Sequence, residues 1–578
     1  MGEITRDKKG QLPSPPRAAW GRGLGWGGYK SLSRKRLIKL RGAPLHHSIK
    51  WIELFLRKNT NPRLSKGAKT IMPQSALPFQ YQAEKTDSGL TGFAGLPLYV
   101  ELAVHSGLVE HINQTMRTKV RGWSDSEMIL SLMLLNLAGG DCISDIERLE
   151  QDSGFRTLLI QFATHGMKRS ARRSFEKRWR KAKSRGLPSN AAIHRYLPQF
   201  HSPEEEKNRV EGEAFIPKPN DKLRALIGLN KPLIACVQQQ SPSAIATLDQ
   251  DATLTNTYKR KALHCYKGFK AYQPFNTYWA EHGILLHSEF RDGNVNAGFG
   301  QLRILQEAMA LLPPDVKHVH LRSDSAGYQD DLIRYCAEGS DPRFGVIPFA
   351  IAARVSAAIK KEALSLDEKH WHPIYQEDAD GNKIKTNQEW ADICFVPEWA
   401  VKSKASYRYL AIREAMKPAK AKNDDELDLP FQTIKLDEVR YKLFAVVTNR
   451  DINGSDLIQW HRKRCGKSEH VHSTQKEGLA GGQLPSNLFG ANAAWWAMMV
   501  LSFNLNRLMQ IAALPKDLKE SKMKALRFHV IQLPGRIIHH ARHVYVRVEG
   551  HCCELLQLIR TKITKIGRGM GAYAVNTS

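Results

Sequence analysis

The chain reads as an α/β protein whose strand-led core is interrupted by a mostly β insertion and preceded by a helical domain. Three observations carry that expectation. Apolar residues keep helical spacing from Gly89 to about Gly166, then switch to strand-like alternation at residue 243. After the switch the elements run three strands, a helix, a strand, a helix and a strand. Residues of about 355–445 break this rhythm with polar, strand-like pieces, and helical spacing returns from Ile452.

At 578 residues the chain exceeds what one ordinary core accommodates, so three or four domains are expected. Its 86 Lys+Arg outweigh 57 Asp+Glu by 29, and a pI near 9.7 calls for a polyanionic partner. A membrane-surface protein would carry such charge on a long amphipathic helix with a clean basic face, which the sequence does not offer. The apolar run Ala493–Phe503 is followed by Asn504, Asn506 and Arg507 and is too short to span a bilayer. No signal peptide is expected, because residues 1–40 lack an uninterrupted apolar stretch. Eight scattered cysteines without a CxxC pair fit free thiols in a reducing cytoplasm.

Residues 1–71 hold 17 Lys/Arg against 3 Asp/Glu, about half of the net excess. They read as a basic flexible arm or, with Met72 as the true start, as a non-native extension. A helical DNA-binding domain and linker follow over 72–213. In it GLPLYVELAVHSGL (95–108) is amphipathic, and Ser124-Asp-Ser-Glu127 is a capping box opening MILSLMLLNLA, which stops at Gly139-Gly140. Residues 168–185 hold ten Lys/Arg against one acid, with Phe175 and Trp179 four apart, and Pro188-Ser189 opens NAAIHRYLPQF. The set suggests a helix-turn-helix; the plain alternative for 168–185 is a solvated helix. EEEKNRVEGE (204–213) reads as linker.

Residues 214–354 supply the first part of the core. SAIATLDQDATL alternates, YKGFKAYQPFNTYW and GILLHSEF follow as strands, and Leu302, Leu305, Met309 and Leu312 form one helix face. The strand VKHVHLRSD leads into helix YQDDLIRYCAEG, and FGVIPFAIAARV supplies another strand. This is the order of a ribonuclease-H-like core. A β-rich insertion is expected over 355–445, the second part of the core over 446–515, and a basic C-terminal segment over 516–578.

Three acid-bearing segments stand out: TLDQDATL, HLRSDSAGY and RCGKSEHVHSTQKEGLAGG. Side chains alternate along a strand, so Asp249 and Asp251 share a face, as do Asp324, Arg322, His320 and His318. Acids at adjacent strand ends suit a pair of divalent ions. Glu469 falls on an expected helix, with His472 at i+3, Lys476 at i+7 and Arg462 at i−7 on the same side. Acids to hold metal flanked by cations to hold phosphate make a strand-cleavage surface, with Arg322, His472 and Lys476 candidates to touch DNA. Each element has a plainer reading. A strand-end Asp is commonly a turn or helix cap, a Glu with Lys at i+7 a solvated face, and His539, His540 and His543 surface or phosphate contacts rather than zinc ligands.

GLTGFAGLPLYVELA, LLNLAGGDCISDIERLEQD, LDQDATL, YKGFKAYQPFNTYWAEHGILLHSEFRDGNVNAG, LRSDSAGYQDDLIRYC and KEGLAGGQLPSNLFGANAAWW occur in order. Over about residues 72–550 they resemble DDE transposases of bacterial insertion sequences. More narrowly, they resemble the IS-thirteen-eighty group of the cut-and-paste superfamily with a Tyr-Arg-Glu-Lys signature. The resemblance implies Asp251, Asp324 and Glu469 as a catalytic triad binding two Mg²⁺, with Mn²⁺ as a possible substitute. Asp251 is preferred to Asp249 because the family acid precedes a small residue and Thr, as in Asp251-Ala-Thr. Lys476 matches the signature spacing, Arg464 stands five rather than four before the Glu, and His461 occupies the Tyr position; all three are expected to contact DNA. Relatives stack a flipped base in the β insertion, for which Trp371, Trp390 and Trp399 are candidates and Trp399 the one selected. The implied partners are terminal inverted repeats and target DNA, with a homodimer in the synaptic complex and no membrane, in the bacterial cytoplasm. A decayed transposase that only binds DNA and a nuclease of similar fold are the competing functions.

Overall fold

The computed structural model describes residues 89–118, 122–164, 168–170, 172–173, 185–210, 213–377, 382–401, 407–416, 431–436, 439–464, 467–540 and 543–573. The arm expected over 1–71 lies outside these residues, as do Phe175 and Trp179.

After strand β1 (Leu90–Thr91) come α1 (Pro97–His105), α2 (Leu108–Thr115), α3 (Asp125–Ala138), α4 (Ile146–Gln151), α5 (Ser153–Thr164), α6 (Asn190–Tyr196), α7 (Asp221–Gly228) and α8 (Asn230–Gln240). Helix α3 starts where its sequence dictates. Ser124 Oγ accepts the Glu127 amide at 3.2 Å while Glu127 Oε2 accepts the Ser124 amide at 2.7 Å. It stops at Gly139, whose φ of 95° favours a residue without Cβ.

The central sheet is built from β2 (Ile245–Ala252), β6 (Phe275–Trp279), β7 (Ile284–Glu289), β8 (His318–Ser323) and β9 (Phe349–Ala353); β3 (Thr255–Asn256), β4 (Leu263–His264) and β5 (Lys270–Tyr272) form a small sheet beside it. α9 (Gln301–Met309) precedes β8, and α10 (Asp330–Ala337) connects β8 to β9. Strands β7, β6 and β2 run antiparallel in that order, then β8 joins β2 in parallel and β9 joins β8 in parallel.

The segment expected as a separate β insertion continues this same sheet. β10 (His372–Glu377), β11 (Lys383–Ile393), β12 (Arg408–Ala415), β13 (Thr433–Leu436) and β14 (Val439–Thr448) follow α11 (Ala357–Leu364). β14 pairs antiparallel with β9, from Ala445 opposite Ala353 to Thr448 opposite Ala350, giving the order β10-β11-β12-β14-β9-β8-β2-β6-β7 with β13 on β14. Trp371 and Trp390 are buried here, at 6% and 7% exposure, so neither is free to stack a base. Arg413 lies 4.3 Å from the Trp371 ring centroid.

α12 (Gly454–Arg462) and α13 (Lys467–Ser473) lead to α14 (Phe489–Ala512), and β15 (Gly535–His540), β16 (His543–Arg547) and α15 (Gly550–Tyr573) complete the described chain. α14 contains the apolar run noted in the sequence and is buried nearly all round, as a central core helix must be. Its polar residues are satisfied locally. Asn504 bonds both the amide (2.9 Å) and the carbonyl (2.8 Å) of Leu285, and Asn506 Oδ1 accepts the Tyr99 hydroxyl at 2.8 Å. α14 thereby ties α1 and β7 into one apolar core, which runs from Leu96 to Ile566. Among the described residues no single helix is long and apolar enough to cross a membrane.

Candidate active site

The parallel pairing of β2 with β8 sets Asp249 opposite Arg322 and Gln250 opposite Ser323. The next residues, Asp251 and Asp324, therefore leave adjacent strand ends side by side. Asp324 turns the chain as well: its carboxylate accepts the Ala326 amide at 3.0 Å and caps the short turn Ser325–Gly327. A Cβ at Gly327 would meet Ser323 Oγ at 2.5 Å, so this turn needs glycine.

The two acids of LDQDA have different fates. Asp249 is 2% exposed and takes Arg322 in a two-pronged ion pair, Nε–Oδ1 at 2.6 Å and Nη2–Oδ2 at 2.7 Å. Asp251 stays partly open. Burial pushes its carboxyl up to about 6; Arg464 pulls the other way, and the charge of Asp324 adds to the rise. Arg464 Nη1 stands 3.3 Å from Asp251 Oδ2.

Two residues expected to meet DNA are inside instead. Arg322 is 3% exposed, and its remaining arm donates to the Trp460 carbonyl at 2.8 Å. It cannot reach a phosphate because Asp249 and the end of α12 enclose it. His461 is 8% exposed and donates from Nε2 to the Ser323 carbonyl at 3.0 Å. Burial lowers its pKa to about 4, so the ring is neutral. These two bonds fasten the end of α12 to the end of β8. That attachment is what delivers Arg464, two residues beyond α12, to Asp251.

Glu469 lies on α13, one short segment further along; its side chain is outside the described residues. His472 is half-buried, and its pKa falls to about 4 through burial and then through the charges of Lys476 and Arg464. Arg464 and Lys476 thus supply positive charge near Asp251, and the His472 ring beside them is neutral. Lys476 sits in the wide turn Thr474–Gly478. Sequence reasoning missed Asn276 and Gln475. Asn276 lies opposite Asp251 on β6, and its Nδ2 approaches buried Gln475 Oε1 at 3.5 Å, seating the turn after α13 beside the acids. No local pattern marks either residue, because the contact depends on cross-strand register. Trp399 is elsewhere: half-buried in the turn Glu398–Ala400, its ring packs edge-on against Tyr407 at 5.4 Å.

Among the described residues no three His, Cys, Asp or Glu side chains converge as a metal cluster. The pair Asp251 and Asp324 nevertheless suits a hard dication. Both are oxygen donors, and the charge of Asp324 raises the free energy of the Asp251 anion, a strain that a bound cation relieves.

A family model described as "Transposase DDE domain group 1" matches residues 80–568. No curated protein matches the chain significantly. Among solved structures, the piggyBac transposase synaptic complex with hairpin DNA aligns at 12% identity and a TM-score of 0.34, covering 83% of this chain and 80% of that one.

Proposed function

The chain belongs to the transposase DDE domain group 1 family, and from that premise we propose that it cuts and joins DNA at the terminal inverted repeats of an insertion sequence. The finer kinship is with the insertion-sequence group bearing the Tyr-Arg-Glu-Lys signature, here written His461, Arg464, Glu469 and Lys476. The strand order β7-β6-β2-β8-β9, three antiparallel strands followed by two parallel ones, supports a ribonuclease-H-like core. The observation that carries the reading is the placement of Asp251 and Asp324 at neighbouring strand ends with Arg464 between them and the Glu469 helix.

Asp251, Asp324 and Glu469 are the residues that would hold Mg²⁺, two ions in all, or Mn²⁺ in its place. When bound, such ions activate the attacking oxygen and stabilise the leaving oxygen of a phosphodiester. The chain's own residues do the rest. Arg464 and Lys476 offer a cationic flank to the phosphate being cut, neutral His472 offers a ring N–H, and Asp249, Arg322 and His461 keep the strand ends and α12 in place. In the proposed sequence, water cleaves one strand at the element's end and releases a 3′-OH. That hydroxyl attacks the opposite strand to give a hairpin, water reopens the hairpin, and the 3′-OH then joins target DNA. Each step exchanges one P–O bond for another, so no nucleophilic side chain is needed. Two ends held together imply a homodimer, acting on the nucleoid in the bacterial cytoplasm.

The test is cleavage of duplexes ending in the element's terminal repeats, with and without Mg²⁺, by the wild-type chain and by Asp251→Asn and Asp324→Asn. Metal-dependent nicks and hairpins lost in both variants are expected. Binding of those ends with no nicking by the wild type would leave a DNA-binding protein descended from a transposase.

A further inference from the structure

The C-terminal ribbon β15–β16 carries a face that the acidic site does not use. Its register sets Arg536 opposite Arg547, Ile538 opposite Tyr545 and His540 opposite His543. Alternation puts these six side chains on one face and Ile537 and His539 on the other. The second face is anchored: Ile537 is 6% exposed, and His539 Nδ1 lies 3.1 Å from Gln161 Nε2 on α5. The first face is bare, with only Ile538 half-covered and Tyr545 49% exposed.

Folding alone gives no reason for this pairing. Directly opposed side chains on a ribbon stand about 5 Å apart, where like charges destabilise the strand pair. Neither Arg536 nor Arg547 has an acidic partner among the described residues. The arrangement makes sense when a polyanion supplies the missing charge. From Arg536 to His540 the ribbon extends roughly 13 Å, the rise of about four base pairs. Cation supply continues in the adjoining chain. α5, which seats the ribbon through Gln161, ends at Thr164, and Lys168, Arg169 and Arg173 follow exposed at the start of the basic run.

We propose that the Arg536/Arg547 face of the β15–β16 ribbon binds the sugar–phosphate backbone of double-stranded DNA, apart from the acidic site. The proposal rests on the reading that this protein acts on DNA. The ribbon holds duplex by charge, sets its position and reads no sequence.

The test measures binding of the full chain to fluorescent duplexes, with and without terminal repeats, across a salt series. Replacing both arginines (Arg536→Gln with Arg547→Gln) should reduce the slope of log affinity against log salt by about 1.8, two phosphate contacts. Between about 50 and 200 mM salt the wild-type affinity should then fall about tenfold more than the variant's. Arg547→Glu places an acid opposite Arg536; it should keep or raise the melting temperature while weakening binding on every duplex. That combination does not arise from a purely structural role. An unchanged slope and affinity in both variants, with the wild type binding normally, overturns the ribbon proposal and leaves the DNA reading intact. A wild type that binds no duplex overturns both. Loss of self-association in sedimentation, with DNA binding unaltered, would make the face a subunit contact and also overturn the proposal.

Discussion

Asp249→Asn and Asp251→Asn, two residues apart on one strand face, should behave oppositely. Asp249 and Arg322 are both almost fully buried and bonded twice. Removing the carboxylate's charge strands a guanidinium in the interior, at about 3–5 kcal/mol. Asp251 carries an ionised carboxylate against a pKa of about 6. Relative to an ordinary 3.8, holding that charge at pH 7 disfavours the fold by about 3 kcal/mol. Asparagine removes that strain, which already includes the favourable pull of Arg464. Thermal unfolding should therefore show Asp249→Asn melting roughly 3–5 °C below wild type and Asp251→Asn at or above it. End-cleavage should be lost in both. The double change Asp249→Leu with Arg322→Met, which removes both charges together, should recover most of the lost stability. If Asp251→Asn melts as low as Asp249→Asn, the assignment of one acid to structure and the other to chemistry is wrong.

His282 is 1% exposed, donates from Nε2 to Gln238 Oε1 at 2.6 Å, and has a pKa lowered to about 4 by burial. A depressed folded pKa gives stability that is present above 6.5 and lost as pH falls toward 4, so about 3 kcal/mol should disappear over that window. His282→Gln should flatten the melting-temperature profile there. Arg527 donates to the carbonyls of Asn136, Leu137 and Gly478, joining the end of α3 to the turn that carries Lys476. Arg527→Ala should lower stability by at least about 3 kcal/mol in urea titration, and Arg527→Lys should not rescue it, because an ammonium cannot serve three spread acceptors. A Cβ at Gly95 would stand 1.7 Å from the Val530 carbonyl oxygen, whereas one at Gly228 meets nothing within 4 Å. Gly95→Ala should destabilise by about 2–3 kcal/mol and Gly228→Ala should be neutral or stabilising, by differential scanning calorimetry.

What the sequence made readable was local. The Ser124–Glu127 box and Gly139 bound α3 without reference to the rest of the chain, and alternation in SAIATLDQDATL announced β2. Face-sharing along β8 also held, since Arg322 does lie on the side of the acids. The inference that it faces solvent failed because the neighbouring strand supplies Asp249, some seventy residues away. The inward turn of His461 is unreadable for the same reason: α12 shows which residues share a face, never which strand that face meets. The continuation of the sheet from β9 into β14 depends on pairing Ala445 with Ala353, two residues that carry no signal of their own.

The site therefore depends on one register, and both faces of the sheet specify it. Sliding β8 by two residues along β2 would preserve every inside and outside assignment while setting Arg322 against Asp251, the acid required for chemistry. On one face the Asp249–Arg322 ion pair opposes that slip. On the other, Gln301 Nε2 from α9 donates both to Gln250 Oε1 at 3.0 Å and to Ser323 Oγ at 2.8 Å, which are opposite each other only in the observed pairing. His461 then grips the Ser323 carbonyl from α12. An ion pair alone could re-form after the slip with Asp251; the amide fork on the far face could not, because Gln250 and Ser323 would part. Selection of Asp251 as the free acid is thus made on the face of the sheet opposite to the chemistry.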